Sequence, residues 1–279
     1  MKCNNSSTLG SNKLSWRHLK IIVKDSMCLR NIINIADVCF ELEYWLSHFK
    51  TSTSIIIPKP NKELDNSPKA FRPIVLLNII GKLIEKVIGE QLQFHAISNN
   101  FIHLSQLNGL KQYSSSNASI APTHFICTGW IKNNYTSTLI FDIAQFFSSL
   151  NHYLLPLIFK KVEFDLKVSS FFWNYLVGRK TKYFWNNSFS SFFKVDIGVG
   201  QELALFPILF ALYLAPILHI LENWLKILKI PISNLLFVNN SLLVAQNKSL
   251  SIPNYFLFYG YQITSSLLDR LGLTCCNNH

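Results

Sequence analysis

Two short segments carry the side chains from which chemistry is expected. Asp142 ends the β-branched and apolar run "TSTLIFD", which is typical of a buried strand. Asn239 and Asn240 lie between two further apolar runs in "LLFVNNSLLVA", a pattern that predicts a hairpin. A carboxylate at a strand end can bind a cation or move a proton, whereas an asparagine pair offers only neutral oxygens and amide donors. Taken alone, Asp142 is a weak signal, because an acidic residue at a strand end is more often a cap or a solvated group.

Further segments matter because of their order in the chain. "IIIPKPNK" and "FRPIVLLN" place Lys59 and Arg72 beside strand-like runs upstream of Asp142. "GVGQELALFPILFALYL" places Gln201 directly before a long apolar run, between Asp142 and the asparagine pair. Each piece alone would be weak evidence, but all of them in this order and at this spacing are specific.

In these segments the chain resembles the reverse transcriptases of non-LTR (LINE-like) retrotransposons, and in particular a fungal group of them. The resemblance runs from about Trp16 to Leu273. It implies an RNA-directed DNA polymerase by ancestry, with an RNA template, a DNA primer and deoxynucleoside triphosphates as partners. We infer no obligate protein partner from the sequence. The resemblance also implies the nucleus as the compartment and leaves the mitochondrion open.

The resemblance implies a site for two metal ions. Transfer of a nucleotide to a primer 3′-hydroxyl uses two Mg²⁺ ions about 3.5–4 Å apart, held by hard oxygen ligands. In the family one aspartate ends the first palm strand, and Asp142 matches it, with the backbone carbonyl of Ile143 as a further ligand. Two adjacent aspartates occupy the tip of a palm hairpin, where this chain has Asn239 and Asn240.

The asparagine pair predicts a preserved fold without catalysis. Asparagine is isosteric with aspartate and tolerates the left-handed backbone of a tight turn. It brings no negative charge to offset two dications, so one carboxylate remains where the family has three. Loss of a metal ligand removes several kcal/mol of transition-state stabilisation, and each 1.36 kcal/mol, roughly, is tenfold in rate. We therefore expect an inactive member of the family with an impaired Mg²⁺ site.

Four other residues match family positions that bind nucleotide or template. Lys59 and Arg72 match finger residues that meet the triphosphate. Phe147 matches the bulky residue that excludes a ribose 2′-hydroxyl, and Gln201 matches the residue that positions the template and the incoming base. Without the resemblance, the two cations would be surface residues and Phe147 an ordinary packed ring. Glu202 stands where the family has a glycine, which adds bulk and negative charge beside phosphates.

The order of helical and strand-like segments predicts an α+β fold with a small antiparallel sheet. The resemblance implies that this fold is the fingers-palm part of a right-hand polymerase with a ferredoxin-like palm sheet. The thumb is expected to be missing, because the resemblance stops at Leu273. The predicted divisions are a disordered tail at 1–13, a helical extension at 14–50, a reverse transcriptase domain at 51–273 and a tail at 274–279. Within the domain, fingers are expected at about 51–134 and palm at about 135–273.

Composition leaves a second function open. The chain of 279 residues has a net charge of +11, and 49% of its residues are hydrophobic, which favours a packed core over long disorder. A basic surplus of this size fits a polyanion partner, so the chain could be a non-catalytic nucleic-acid-binding remnant of a retroelement. Basic and aromatic residues interleave between Lys160 and Lys194, where they could bind a nucleic-acid strand or form the core of a helix and hairpin.

A membrane protein is the less favoured third hypothesis. The uncharged run 203–221 is long enough to span a bilayer. Pro207 and Pro216 interrupt it, and a helix buried in a large core has the same composition. The six cysteines form no C-x-x-C pair and predict free thiols in a reducing compartment.

Overall fold

The structure is a computed structural model that divides into two compact units. Unit 1 comprises residues 1–92 and 152–206, and unit 2 comprises residues 93–151 and 207–279. Each unit is therefore built from two separate stretches of chain, unlike the consecutive fingers and palm predicted from the sequence. The residues that the structure describes are 14–59, 70–107, 115–161, 163–200, 203–237 and 239–276, with the side chains of 115–118 left aside. The tail predicted at 1–13 lies outside them.

The described elements mix helices and strands, in agreement with the predicted α+β class. The helices are α1 (Trp16–Ile22), α2 (Ser26–Glu41), α3 (Ile79–Ser98), α4 (Ser115–Ile131), α5 (Leu154–Lys161), α6 (Leu166–Leu176), α7 (Phe206–Ile227) and α8 (Ser251–Asp269). The strands are β1 (Thr51–Pro58), β2 (Phe71–Leu76), β3 (Tyr135–Ala144), β4 (Lys180–Trp185), β5 (Ser188–Phe189), β6 (Phe193–Lys194), β7 (Ile232–Phe237), β8 (Asn240–Asn247) and β9 (Thr274–Cys275).

The region before β1, predicted to be helical, contains two α-helices and a short 3₁₀ helix at Ser47–Lys50. Ser15 caps α1 in a capping box, because its Oγ accepts the His18 N–H and the His18 Nδ1 accepts the Ser15 N–H. Asp25 caps α2 by accepting the Cys28 N–H at 2.7 Å. The second cap starts a new helix, and apolar periodicity alone does not reveal that break.

The sheet of unit 1 has the strand order β2-β1-β4-β5, with β6 also paired to β4. β1 runs antiparallel to β2 and parallel to β4. Ser52, Ser54 and Thr181 lie buried on one face, where the Ser54 and Thr181 hydroxyls are 2.8 Å apart. Because side chains alternate along a strand and paired residues point the same way, the neighbours of these residues lie on the opposite face. The residues of that opposite face are half-buried or exposed.

A buried polar network fixes the turn that precedes α7. The Tyr175 hydroxyl donates to Glu85 Oε1 at 2.9 Å, and the Ala204 N–H donates to Glu85 Oε2 at 3.3 Å. The Arg179 guanidinium lies 3.5 Å from the same carboxylate. Burial raises the pKa of Glu85, and the Arg179 charge opposes that rise. The carboxylate thus ties α3, α6 and the chain after Gly200 together within unit 1.

The sheet of unit 2 is antiparallel, with the strand order β7-β8-β3-β9. Thr274 and Cys275, which fall within the tail predicted at 274–279, form β9 by pairing with Ala144 and Ile143. Gly272 precedes it with φ +72°, a left-handed conformation that suits the end of α8. After α8, the chain as far as residue 276 therefore lies along the edge of the sheet.

The long apolar run forms α7. Among the described residues, Phe206–Ile227 is the one helix long and apolar enough to cross a membrane, with a mean hydropathy of 1.6 over its most apolar window. However, 67% of that window is buried within the fold. This burial is typical of a core helix and supplies a reason for its apolarity without a bilayer. The five described cysteines are free, as the sequence predicted.

Candidate functional site

Strand pairing in unit 2 brings Asp142 next to the asparagine pair. Asp142 on β3 is the register partner of Asn240 on β8. The Ile143 N–H donates to the Asn239 carbonyl at 2.8 Å, which fixes the hairpin tip against the end of β3. The structure therefore places together the three side chains that the sequence singled out.

The Asp142 carboxylate is engaged by neutral groups. The Asn239 side-chain amide donates to Asp142 Oδ1, and Asn240 Nδ2 lies 3.4 Å from Asn239 Oδ1. The Cys276 thiol lies 3.9 Å from Asp142 Oδ2, and the Cys276 N–H donates to the Asp142 carbonyl at 2.7 Å. Burial raises the pKa of Asp142, since desolvation outweighs the hydrogen bonds that stabilise its charge.

The donor set at this tip does not fit a pair of Mg²⁺ ions. Asp142 is the sole acidic residue of 135–151 and 232–247, which contain the end of β3 and the hairpin. One of its two oxygens accepts an amide proton of Asn239. Mg²⁺ requires charged oxygen ligands in octahedral geometry, and a pair of dications requires several of them. The hydrogen bonds of this arrangement can fix the hairpin tip against the end of β3.

Phe147 lies in an aromatic cluster of unit 2. Its ring is 5.7 Å from that of Phe146 and 6.3 Å from that of Phe210, centroid to centroid. The ring is half-buried, so part of it packs and part of it faces outward. Both the packed-core interpretation and the nucleotide-contact interpretation are compatible with this position.

Lys59 and Arg72 belong to unit 1, at the end of the β1–β2 hairpin. The Lys59 N–H donates to the Ala70 carbonyl at 2.8 Å, which extends the β1–β2 pairing past Pro58. Arg72 is exposed and pairs with Ile57. The pairing therefore brings these two cations to one end of the hairpin. Gln201 and Glu202 lie outside the described residues.

The turn next to Gln201 is partly described. The Leu203 N–H donates to the Gly200 carbonyl at 3.2 Å. A Cβ at Gly200 would lie 3.1 Å from the Val75 side chain, so a larger residue there would require that side chain to shift by a few tenths of an ångström. No sequence motif marks Glu85, which contacts this turn, or Cys276, which contacts Asp142.

Among the described residues of unit 2, a further cluster with metal-ligand chemistry is formed by His103, His219 and Glu222. One ligand atom of each lies within 4.8 Å of the others. The His103 Nε2 is 3.0 Å from Glu222 Oε2, while the Ser105 N–H donates to His103 Nδ1 at 3.1 Å. Because Nδ1 accepts a proton donor, Nε2 of the neutral ring carries the hydrogen and donates to Glu222. A metal ion bound to Nε2 would require the other tautomer, with the hydrogen on Nδ1. We therefore interpret the cluster as a group of hydrogen-bonded side chains rather than as a metal site.

The family described as "Reverse transcriptase (RNA-dependent DNA polymerase)" matches residues 57–249, a stretch that contains Asp142 and both asparagines. The chain belongs to this family. The resemblance inferred from the short segments is therefore confirmed at the level of the family. Reverse transcriptases of this family generally use divalent metal ions.

Two relatives from Drosophila melanogaster are similar to this reverse transcriptase chain. They are the probable RNA-directed DNA polymerases from transposon BS, 24% identical over 181 residues, and from transposon X-element, 25% identical over 183 residues. The matches cover 65% and 62% of this chain but 20% and 19% of those proteins. The chain thus spans about a fifth of the length of the curated relatives it matches.

Solved structures similar to the chain include two telomerases from Candida tropicalis. One, in complex with the TWJ fragment of telomeric RNA, matches with a TM-score of 0.61 at 14% identity and covers 83% of this chain and 40% of the telomerase chain. The other, an apo form truncated from its C-terminal domain, matches with a TM-score of 0.57 at 13% identity, over 81% and 48% of the two chains. These matches support a polymerase fold.

Proposed function

We propose that this chain is a reverse transcriptase domain of a LINE-like retrotransposon that no longer transfers nucleotides. The observation that carries the proposal is the hydrogen bond from the Asn239 amide to Asp142, the sole acidic residue of 135–151 and 232–247. The proposed palm is the β7-β8-β3-β9 sheet with ferredoxin-like topology, and the proposed fingers include the β1–β2 hairpin.

The chemical reason is charge. Two Mg²⁺ ions bring four positive charges, and the three aspartates that the resemblance implies would offset most of them. Asp142 offers one negative charge, and the Ile143 carbonyl and the asparagine oxygens are neutral. An ion that approached Asp142 would also have to displace the Asn239 amide. We therefore derive no catalytic step at this site, although the backbone that positions it is in place.

The substrate contacts remain part of the same proposal. Lys59 and Arg72 would meet the triphosphate of a deoxynucleotide, Gln201 would contact the RNA template, and Phe147 would contact the sugar. The exposed position of Arg72 supports such a contact. A DNA primer would complete the set of partners.

A second candidate function is nucleic-acid binding without catalysis. The net charge of +11 favours it, because phosphate neutralisation by Lys and Arg is the main source of non-specific affinity. This function requires no carboxylate pair, so the asparagine substitutions would not affect it.

Primer extension tests the loss of catalysis. The unmodified chain is compared with Asn239→Asp/Asn240→Asp on a homopolymer RNA template with Mg²⁺ or Mn²⁺, and Asp142→Ala serves as the blank. We expect the unmodified chain to equal the blank. Extension by the double variant alone would attribute the loss to the missing charge. Extension by the unmodified chain above the blank would refute the proposal.

A further inference from the structure

The five-stranded sheet of unit 1 has one face that is free of acidic residues and rich in cations. Its two faces can be separated by register, because Ile55 pairs with Ile74 on β2 and with Phe184 on β4. We call this side the basic face. It comprises Thr51, Thr53, Ile55, Ile57, Arg72, Ile74, Leu76, Lys180, Lys182, Phe184, Phe189 and Lys194.

Ring contacts confirm the separation of the two faces. On the basic face the Phe184 and Phe189 rings are 4.8 Å apart. On the opposite face Tyr183 lies 5.6 Å from Phe193. Trp185, also on that opposite face, lies 5.2 Å from Phe71. Alternation along β4 thus sorts its neighbouring side chains to opposite sides, as the register requires.

Every cation of the five strands lies on the basic face. Arg72, Lys180, Lys182 and Lys194 are the only Lys or Arg residues of these strands, and the strands contain no Asp or Glu. Lys194 is the register partner of Lys180 on the adjacent strand. Lys182 follows two residues along β4, about 7 Å further on. Like charges at such spacing repel one another in the free protein, so a polyanion lying across them would relieve that repulsion.

Exposed aromatic rings accompany these cations. Phe189 and Phe192 are 58% and 54% exposed. The Lys182 Nζ lies 4.2 Å from the centre of the Phe189 ring and 5.9 Å from that of Phe192. An exposed phenylalanine ring provides a flat surface on which a nucleobase can stack, whatever its sequence. A base stacked on Phe189 would replace the Lys182 ammonium there and free it to contact a phosphate.

We propose that the basic face binds single-stranded nucleic acid, with bases stacked on Phe189 and Phe192 and phosphates paired with Lys180, Lys182 and Lys194. The site rests on the second candidate function, nucleic-acid binding, and gives it a location that does not involve Asp142. A single strand fits better than a duplex, because bases within a duplex are already stacked on one another. A membrane fits less well, since insertion requires a continuous apolar surface and here cations alternate with the rings.

The test is equilibrium binding of labelled oligo(U) and oligo(dT) by the full chain, measured by fluorescence anisotropy over a range of salt concentrations. Phe189→Ser removes a ring from the basic face. Phe193→Ser is the matched control, because Phe193 is 49% exposed on the opposite face of the same hairpin. Phe189→Leu keeps the bulk without the ring in case the serine variant folds poorly. Lys182→Gln is compared with Lys161→Gln, which changes an exposed lysine of α5.

We expect Phe189→Ser and Phe189→Leu to weaken binding roughly 5- to 150-fold, the range for loss of one stacked base, and Phe193→Ser to leave it within about twofold. Lys182→Gln should reduce the slope of log K against log salt by about 0.7, the value for one phosphate of a single strand, and Lys161→Gln should not. A difference between oligo(U) and oligo(dT) would show whether the strand is RNA or DNA.

Two results would overturn the proposal in distinguishable ways. If the unmodified chain binds but Phe189→Ser, Phe189→Leu and Phe193→Ser all behave like it, the basic face is refuted and nucleic-acid binding stands. If the unmodified chain binds neither oligonucleotide, the binding function fails together with the face. Binding to phosphatidylserine vesicles that depends on Phe189, without oligonucleotide binding, would also refute the proposal and assign the face to a membrane.

Discussion

Replacing Asn239 by aspartate should make the stability of this chain depend on divalent metal. The unmodified side chain donates a hydrogen bond to Asp142. Asn239→Asp removes that donor and sets two carboxylates against each other. Without metal we expect the variant to be less stable than the unmodified chain, and with Mg²⁺ or Mn²⁺ we expect the difference to shrink or reverse.

The size of the loss follows from two contributions. A hydrogen bond to a charged group contributes about 1.5–3 kcal/mol. Repulsion between two carboxylates about 4 Å apart is about 1 kcal/mol in water and about 4 kcal/mol at an effective dielectric constant of 20, and Asp142 is half-buried. Protonation of one carboxyl group limits the total, so we expect a net loss of about 3 kcal/mol at neutral pH. For a chain of this size that lowers the Tm by about 6–12 °C.

The assay is thermal and urea denaturation in EDTA and at saturating Mg²⁺. Metal at about 100 times its Kd would return about 2.7 kcal/mol. Asn247→Asp is the matched control, because Asn247 lies at the other end of β8 and its Oδ1 accepts the Ser249 N–H at 3.1 Å, which aspartate can still do. The loss should also diminish as the pH falls, because a native-state carboxyl group with a raised pKa binds a proton that the unfolded chain does not.

Either of two results would refute this account. Asn239→Asp as stable in EDTA as the unmodified chain would mean that the amide contact contributes nothing. A Mg²⁺-dependent gain in the unmodified chain equal to that in the variant would mean that one carboxylate and two asparagines already bind the ion.

Two further predictions concern buried groups of unit 1. Tyr175→Phe removes a donor from the buried Glu85 carboxylate and should cost about 1–3 kcal/mol in urea denaturation, whereas Tyr255→Phe, at an exposed position, should cost little. His152 donates from Nε2 to the Gly198 carbonyl, and burial lowers its pKa, so stability should fall as the pH drops below about 6.5 and the unfolded chain binds the proton. His152→Gln keeps a hydrogen-bond donor but cannot titrate, so it should reduce the dependence of stability on pH by up to about 1.4 kcal/mol per pH unit. An unchanged dependence would mean that the His152 ring is protonated in the native state and would contradict this prediction.

The placement of Asp142 and the asparagine pair could be predicted from sequence because strand periodicity and hairpin pairing act locally. A strand that ends at Asp142 and a hairpin centred on Asn239 and Asn240 both follow from apolar runs and turn residues. The resemblance then predicted that Asp142 and the asparagine pair lie close together. The direction of the Asn239 amide could not be predicted, since it depends on how one side chain rotates within an assembled tip.

The division of the chain into two units and the pairing of β9 could not be predicted, for a different reason. Both depend on contacts between residues far apart in the sequence. Cys276 reaches Asp142 across 134 residues, and Glu85 reaches Ala204 across 119. Neither "LTCC" nor "LIEKV" carries a signal for such a contact. Likewise, the basic and aromatic stretch between Lys160 and Lys194 suggested nucleic acid, but the sorting of its side chains onto one face required the register of β1, β4 and β6.

The closed hairpin tip has an evolutionary consequence. If Asn239 and Asn240 stabilise the free protein more than aspartates would, the proposed loss of polymerase activity and a gain of stability arise from the same substitutions. A lineage released from selection for copying would then meet no folding penalty on losing its carboxylates, and a reversion would meet one. Loss of the two carboxylates would then be easier than their return, so the fold would persist after the activity.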